Sequence, residues 1–374
     1  MKQQKVLNKI KHSINCGQKT PLGTKPNDEC YTSMQDIINE LGYWAELNKF
    51  ENKRIICPCD WDIVEGEDIY SITISYEDKF KVTGNDVYKE PKVTYDLWNE
   101  EEDKFITIDL KEDEVEDFLK NKLTCNFVRT FTQKARAWKI KSITASGYNP
   151  ANGKGVKFQD VDYSKYDICC TNPPFSLYGE FMKTIVGKVD FIVLAPFLNR
   201  VTPNVGGYLF RREAYLGYGA GIPDMNFYNP ITNNLYKTKT IAVDWITSFS
   251  DAQDERNEEL SDKQTGVDYN IYKDEYIEME NMIMKDGTKA IRVPAAQIPD
   301  NYSGWMFTSV QFLQLYDLRK YDWYPTNLMG YYNSHPEINP FKGKAGNHVC
   351  KHNGKSMFHG IVFRRKSEEV SKND

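Results

Sequence analysis

The sequence predicts an α/β fold, a mostly parallel sheet with helices on both faces. Three observations carry that expectation. Short apolar runs of strand length recur between helical patterns, and the intervals between them leave room for crossover helices or short loops. The first such run stops at a proline, and one long alternating stretch interrupts the series.

In chain order, "YTSMQDIINELGYWAEL" places Met34, Ile37, Ile38, Leu41, Trp44 and Ala45 at helical spacing, with Ser33 and Asp36 as a variant capping box. A helix is therefore expected to start near residue 33. In "KRIICPCDW", Ile55 and Ile56 make a short strand that breaks at Pro58, a residue unable to donate to a central ladder. Residues 62–111 alternate apolar and polar side chains between turn signals, which reads as an inserted antiparallel excursion. Helical patterns return in "EDEVEDFLKNKL" and "FVRTFTQKARAWKI", the latter with Phe131, Ala135 and Trp138 on its inward face. Strands are then expected in "KSITAS", "KGVKFQD", "KYDICCT" and "VDFIVLA". In open sheets of this kind ligands occupy the crevice at the carboxyl ends of the strands, where both "CPCD" and "NPPF" fall. The acidic run 251–262 reads as a boundary, and the aromatic, turn-rich residues 251–374 as a second region without βαβ rhythm.

The chain has 374 residues, about two typical domain lengths. No run approaches the roughly 18 consecutive apolar residues of a membrane span, and "MKQQKVLNKIKHS" lacks the apolar core of a signal peptide, so an intracellular place is expected. The 8 cysteines are scattered without paired C-x-x-C spacing and read as reduced thiols. A formal charge of -5 argues against a generally basic nucleic-acid binder. The charge is segregated, however: residues 1–27 and 338–367 carry lysines and arginines and no acid, while "NEEEDKF", "KEDEVEDF" and "DAQDERNEEL" are acidic. Each run alone reads as a solvated face or tail; two basic terminal stretches raise the prospect of a polyanionic partner.

The stretch "YDICCTNPPFSLYGEF" carries the chemistry. A residue before proline is pushed out of the helical region, so Asn172 and Pro173 are both held extended, and both prolines have fixed φ. Neither proline donates an N–H. The polar groups on offer are the Asn172 side-chain oxygen and the Pro173 carbonyl, two acceptors that suit an NH2 group. An exocyclic amine on a nucleobase is a poor nucleophile, because its lone pair is delocalised into the ring. Accepting both its hydrogens favours a pyramidal nitrogen that can attack an electrophilic methyl group, with no strong general base required. Phe175 supplies a flat face for stacking, worth about 1–3 kcal/mol per base, and a duplex base must first be flipped out to reach it. The plain alternative is a rigid strand-to-helix turn in which Asn172 caps a helix beginning near Ser176.

At these residues the chain resembles the amino-methylating DNA methyltransferases, whose fourth motif is (D/N/S)PP(Y/F/W), and among them the EcoRI modification methylase family of adenine-specific enzymes. The resemblance rests on "DECYTSMQDIINEL", "IICPCDW", "TNPPFSLYGEF", "FIVLAPFLN", "VDWITSF" and "VPAAQIPDNYSGWMFTSVQFL", in the family's order from residue 28 to residue 313. It implies a class I, Rossmann-like methyltransferase fold with S-adenosylmethionine as cofactor, double-stranded DNA as partner and a flipped adenine as substrate. Tyr31 and Thr32 would then help hold the methionine end of the donor, the turn Cys57, Pro58, Cys59 and Asp60 would approach it, and Asp160 would contact its adenine. Asn172, Pro173, Pro174 and Phe175 would engage the target amine and base. The implied organisation is a basic arm over 1–30, a catalytic domain over 31–250 and a target-recognition region over 251–374. A cytoplasmic enzyme, prokaryotic or phage-encoded, is expected, monomeric and with scope for a companion restriction endonuclease.

Two features depart from the usual pattern. The glycine-rich turn after the first strand is replaced by Pro58 between two cysteines, and "TASGYNP" after the second offers no acid to the donor's ribose. No metal is expected. Cys57, Cys59, Cys169 and Cys170 read as strand and turn residues, and His348, Cys350, His352 and His359 as a basic loop whose spacing fits no common zinc site. Asp60 could alternatively cap a helix. Rival functions are methylation of RNA or of a protein glutamine amide, and a non-catalytic DNA-binding relative.

Overall fold

The structure, a computed structural model, describes residues 31–60, 69–79, 88–99, 104–123, 125–149, 154–220, 227–228, 235–236, 243–343, 351–352, 355–356 and 358–366. Two compact units emerge: the first runs to Ala195 and resumes over Gly217–Ser248, and the second combines Pro196–Leu216 with the chain from Phe249 onward. Residues 196–216, placed in the first region from sequence, thus cluster with the second. The terminal basic arm and the His348–Cys350 pair lie outside the described residues.

The first unit opens with β1 (Tyr31–Thr32) and α1 (Met34–Glu46). Ser33 is the N-cap: its Oγ accepts the Asp36 amide at 3.1 Å and donates to the Asp36 carboxylate at 2.7 Å. The expected capping variant therefore forms as read, and Ile37, Leu41 and Trp44 face the core. β2 (Arg54–Cys57) follows and ends where Pro58 denies it a further ladder donor. The alternating excursion forms β3 (Ile69–Lys79), β4 (Tyr88–Asn99) and β5 (Lys104–Asp109). The helical patterns after it become α2 (Glu112–Asp117), continued by a π turn, and α3 (Asn126–Lys134), which stops short of the expected Ile140. Phe131 is nevertheless buried, and Phe50 packs between its ring and that of Trp138.

β6 (Ser142–Ser146), β7 (Ile168–Thr171), α4 (Tyr178–Ile185) and β8 (Asp190–Pro196) complete the rhythm. A small hairpin of β9 (Phe227–Tyr228) and β10 (Leu235–Tyr236) pairs with β1, and β11 (Val243–Thr247) follows. The strand order is β11-β8-β7-β2-β6-β3-β4-β5. Pairs β2–β6, β2–β7 and β7–β8 are parallel, whereas β3 pairs antiparallel with both β6 and β4, and β4 with β5. The fold is mixed α/β, and the expectation of a mostly parallel sheet needs correcting. The excursion adds its strands to the main sheet instead of forming a separate flap, because β6 presents an open edge that β3 takes up.

"KGVKFQD" departs from its expected strand. Only Lys154–Gly155 is extended, and Phe158–Asp160 is a 3-10 turn. Gly155 has φ +96°, and a Cβ there would collide with the Gly147 carbonyl, so the chain turns where alternation alone suggested extension.

The second unit contains α5 (Gly206–Phe210) and α6 (Asp251–Glu259), so the acidic run read as a boundary is a helix at the start of this unit's longer segment. Its sheet has the order β12-β13-β14-β16-β15, formed by β12 (Ile277–Ile283), β13 (Lys289–Arg292), β14 (Met306–Thr308), β15 (Tyr321–Pro325) and β16 (Ile361–Arg365). One core cluster joins Met279, Met282, Met284, Phe307, Tyr332 and Phe341, matching the aromatic-rich composition of this stretch. Among the described residues no helix is long and apolar enough to cross a membrane.

Candidate active site

The topology places the site. β2 is flanked by β6 on one side and β7 on the other, all parallel, and the chain after β2 leads towards β6 whereas the chain after β7 leads to β8 on the opposite side. A crevice opens at such a switch point. The turn Cys57–Asp60 lies at the end of β2 and Asn172–Phe175 at the end of the adjacent β7. Sequence reading expected both there, and the structure brings them together.

A hydrogen bond ties the two ends: the Thr171 hydroxyl donates to the Asp60 carboxylate across 111 positions of sequence. Thr171 is fully buried and Asp60 half-buried, so the carboxylate is aimed by a group with no conformational freedom of its own. Thr171 was not singled out from sequence. Its only signal was its place beside Asn172, since nothing local reveals a partner so distant.

The structure describes part of the Asn172 segment's geometry. Pro173 is buried, Pro174 is extended at φ -62° and ψ 120°, and the Asn172 Oδ1 atom is shielded from solvent. The capping alternative fails on geometry, because α4 begins only at Tyr178, with Leu177 as N-cap and no side-chain cap bond. Nor does any side chain cap the intervening 3-10 turn Phe175–Leu177. Phe175 itself is half-exposed, so its ring retains accessible surface.

Thr32 is held from behind: its carbonyl accepts the Asn126 side-chain amide at 2.8 Å, and β1 is paired with β9. The Thr32 Oγ1 atom is buried without a hydrogen-bond partner among the described residues, as is Ser146 Oγ. Ser146 ends β6, one residue past Ala145, which is in register with Cys57. Sequence reading singled out neither Asn126 nor Ser146. Asp160 is exposed on its 3-10 turn, and that turn is fixed to α4 by Gln159 Nε2 donating to Glu180 Oε1 at 2.8 Å and by the Phe158 and Phe181 rings at 5.3 Å.

Two buried cysteines at this crevice are inert. Burial pushes the Cys57 and Cys170 thiols far up, and the Asp60 carboxylate adds to it, so both stay protonated and supply no thiolate. Among the described residues no group of three or more histidines, cysteines and acids is arranged to hold a metal ion.

A family model described as adenine-specific methyltransferase EcoRI matches residues 22–366, nearly the whole chain. The chain belongs to this family. No curated protein and no solved structure matches it in comparison. Membership agrees with what the crevice offers: the family is one of adenine-specific methyltransferases, and the chain carries NPPF at a parallel strand's carboxyl end.

Proposed function

We propose that this chain transfers a methyl group from S-adenosylmethionine to the exocyclic N6 amine of an adenine flipped out of double-stranded DNA. The observation that carries the reading is the juxtaposition of the Cys57–Asp60 and Asn172–Phe175 turns at adjacent parallel strand ends, fixed to each other through Thr171 and Asp60.

The residues present suit the donor. When bound, it supplies an activated methyl group on a sulfonium sulfur. Thr32 Oγ1 and Ser146 Oγ are buried polar atoms without a partner among the described residues, and such atoms are costly unless another group completes them. Ser146 ends the strand where an acid for the ribose was missed in the sequence, and a hydroxyl there can take the same sugar without adding charge. Tyr31 and Thr32 receive the methionine end, the Cys57–Asp60 turn borders it, and Asp160 serves the donor's adenine.

On the acceptor side, Asn172 Oδ1 and the Pro173 carbonyl take the two amine hydrogens, which localises the nitrogen lone pair and aims it. Phe175 stacks on the flipped base, and Pro174 fixes the spacing between the two functions. The nitrogen would gain the methyl carbon as that carbon's bond to the donor's sulfur breaks, leaving a neutral thioether, and would release one proton to solvent, so no strong base is needed in the site. We assign DNA reading to the second unit, and expect the enzyme to act as a monomer, in the cytoplasm of a prokaryote or phage host, with or without a companion endonuclease.

The test is Asn172→Ala in full-length protein, supplied with tritiated donor and with DNA, RNA or protein in separate reactions. Methyl transfer to duplex DNA is expected to fall about 10²–10³-fold, the loss typical of removing one preorganised polar partner, with donor affinity within about twofold of the parent. Unchanged turnover, or a parent enzyme that labels only RNA or protein, overturns the assignment.

A further inference from the structure

The second unit holds a cavity of about 220 Å³ that the proposed reaction does not use. It is smaller than the roughly 300–1,000 Å³ of sites enclosing drug-sized ligands, so it suits one ring system and not a whole nucleotide. Leu216, Leu313 and Leu318 give it apolar lining, with Trp323 as a flat partner for a ring. Its polar lining includes Asn257, Arg212 and Asp254.

Each of these three polar groups has capacity to spare. Asn257, only 4% exposed, spends its side-chain oxygen on Gln253 Nε2 and on the Leu318 amide, each at 3.2 Å. Its two amide hydrogens have no acceptor among the described residues. Arg212, which is exposed, makes no ion pair or side-chain hydrogen bond among the described residues, although Arg211 pairs with Glu213 at 2.7 Å and Arg319 with Asp317 at 2.9 Å. Arg212 also has φ 59°, a conformation that residues with a Cβ rarely adopt, and such strain persists where the surroundings enforce it, often at binding sites. Asp254, which is exposed, likewise has no side-chain partner among the described residues.

A ring that satisfies an arginine, an amide donor and a carboxylate together must present acceptors and donors on its edges. Guanine does so: its O6 and N7 accept two N–H groups of an arginine, and its N1–H and N2–H2 donate to a carboxylate. Adenine has no O6 acceptor, and the pyrimidines leave part of the space empty. We propose that this cavity is a guanine-binding site, filled by the base of a free guanosine nucleotide or by a guanine unstacked from a DNA strand. The site is independent of the methyl-transfer reading, because none of its residues belongs to that crevice.

Full-length protein is titrated with guanosine, adenosine, cytidine and thymidine by calorimetry, and with short duplexes carrying one bulged guanine or one bulged thymine. The expected result is at least a tenfold preference for guanosine over the other nucleosides, for the bulged-guanine duplex, or for both. Preference confined to guanosine assigns a free nucleotide, and preference confined to the duplex assigns a strand. Two variants test the contacts. Arg212→Gly suits the positive φ, so its Tm should equal or exceed the parent's while guanine binding falls at least tenfold. Asn257→Asp keeps the oxygen that Gln253 and Leu318 use but removes both spare hydrogens, and should weaken binding similarly. Absence of any guanine preference, or a folded Arg212→Gly protein that binds as the parent does, overturns the proposal. Donor affinity, measured on the same samples, reports separately on the methyl-transfer site and is expected to be unchanged in Arg212→Gly.

Discussion

The two halves of the first unit's sheet divide the work of the molecule. In the parallel half the strands are buried on both faces: Ile55, Ile56 and Cys57 in β2, all four residues of β7, and Phe191 to Ala195 in β8. Such strands leave only their ends for chemistry, and NPPF and CPCD are found at those ends. In the antiparallel half, Ile72, Ile74, Tyr76 and Val93 face the core while Ser71, Thr73, Thr94 and Asp96 face the other way, half-exposed. That second face is held by hydroxyl bonds, from Thr107 to Asp96 at 2.7 Å and between Thr73 and Thr144 at 2.9 Å. The difference teaches that one sheet can be rigid where it must position reacting groups and polar where it only extends the scaffold.

The contrast can be broken most severely in the parallel half. Ile56→Ala removes a side chain that is 1% exposed between two parallel neighbours, and should cost about 2–5 kcal/mol in denaturant unfolding. At the strand ends, Thr171→Val keeps the volume but deletes the bond to Asp60, with an expected loss of roughly 1.5–3 kcal/mol and a weaker donor titration. A Thr171→Val protein with unaltered stability and donor affinity would mean that the two turns are not coupled through this bond. In the antiparallel half, Thr73→Val removes a bond from a half-exposed hydroxyl to the buried Thr144 hydroxyl of β6, and should cost about 0.5–1.5 kcal/mol without touching donor affinity.

The smallest effect sharpens the comparison through pH. Asp167, just before β7, accepts from the Arg54 guanidinium at 3.0 and 3.1 Å, and this holds its carboxyl below the usual carboxylate range. A carboxyl lowered in the folded state adds stability at neutral pH that is lost as pH falls through the folded value. Asp167→Asn should therefore lower the urea midpoint at about pH 7 and flatten the acid limb of the stability curve, with parent and variant converging towards about pH 3.

Much of the fold was legible because its signals are local. Ser33 and Asp36 stand three residues apart, Pro58 stops its own strand, and the two prolines after Asn172 fix their own backbone, so neighbours in sequence settled each feature. Alternation identified the residues of β3 to β5 as antiparallel but could not say which edge they would join, since pairing with β6 depends on an edge formed about 70 residues later. The same limit hid Gly155's approach to the Gly147 carbonyl, which turned an expected strand into a 3-10 segment.

The amino-acid order by itself determined where the chain stiffens, where its helices are capped and which motif ends the buried strand β7. Only the tertiary structure decided that Thr171 reaches Asp60, that Ser146 stands at the end of the neighbouring strand and that residues 196–216 cluster with the second unit. The physical reason is range: capping and proline stereochemistry act within a few residues, whereas these contacts close loops of many tens of residues and exist only once burial has brought their strands together.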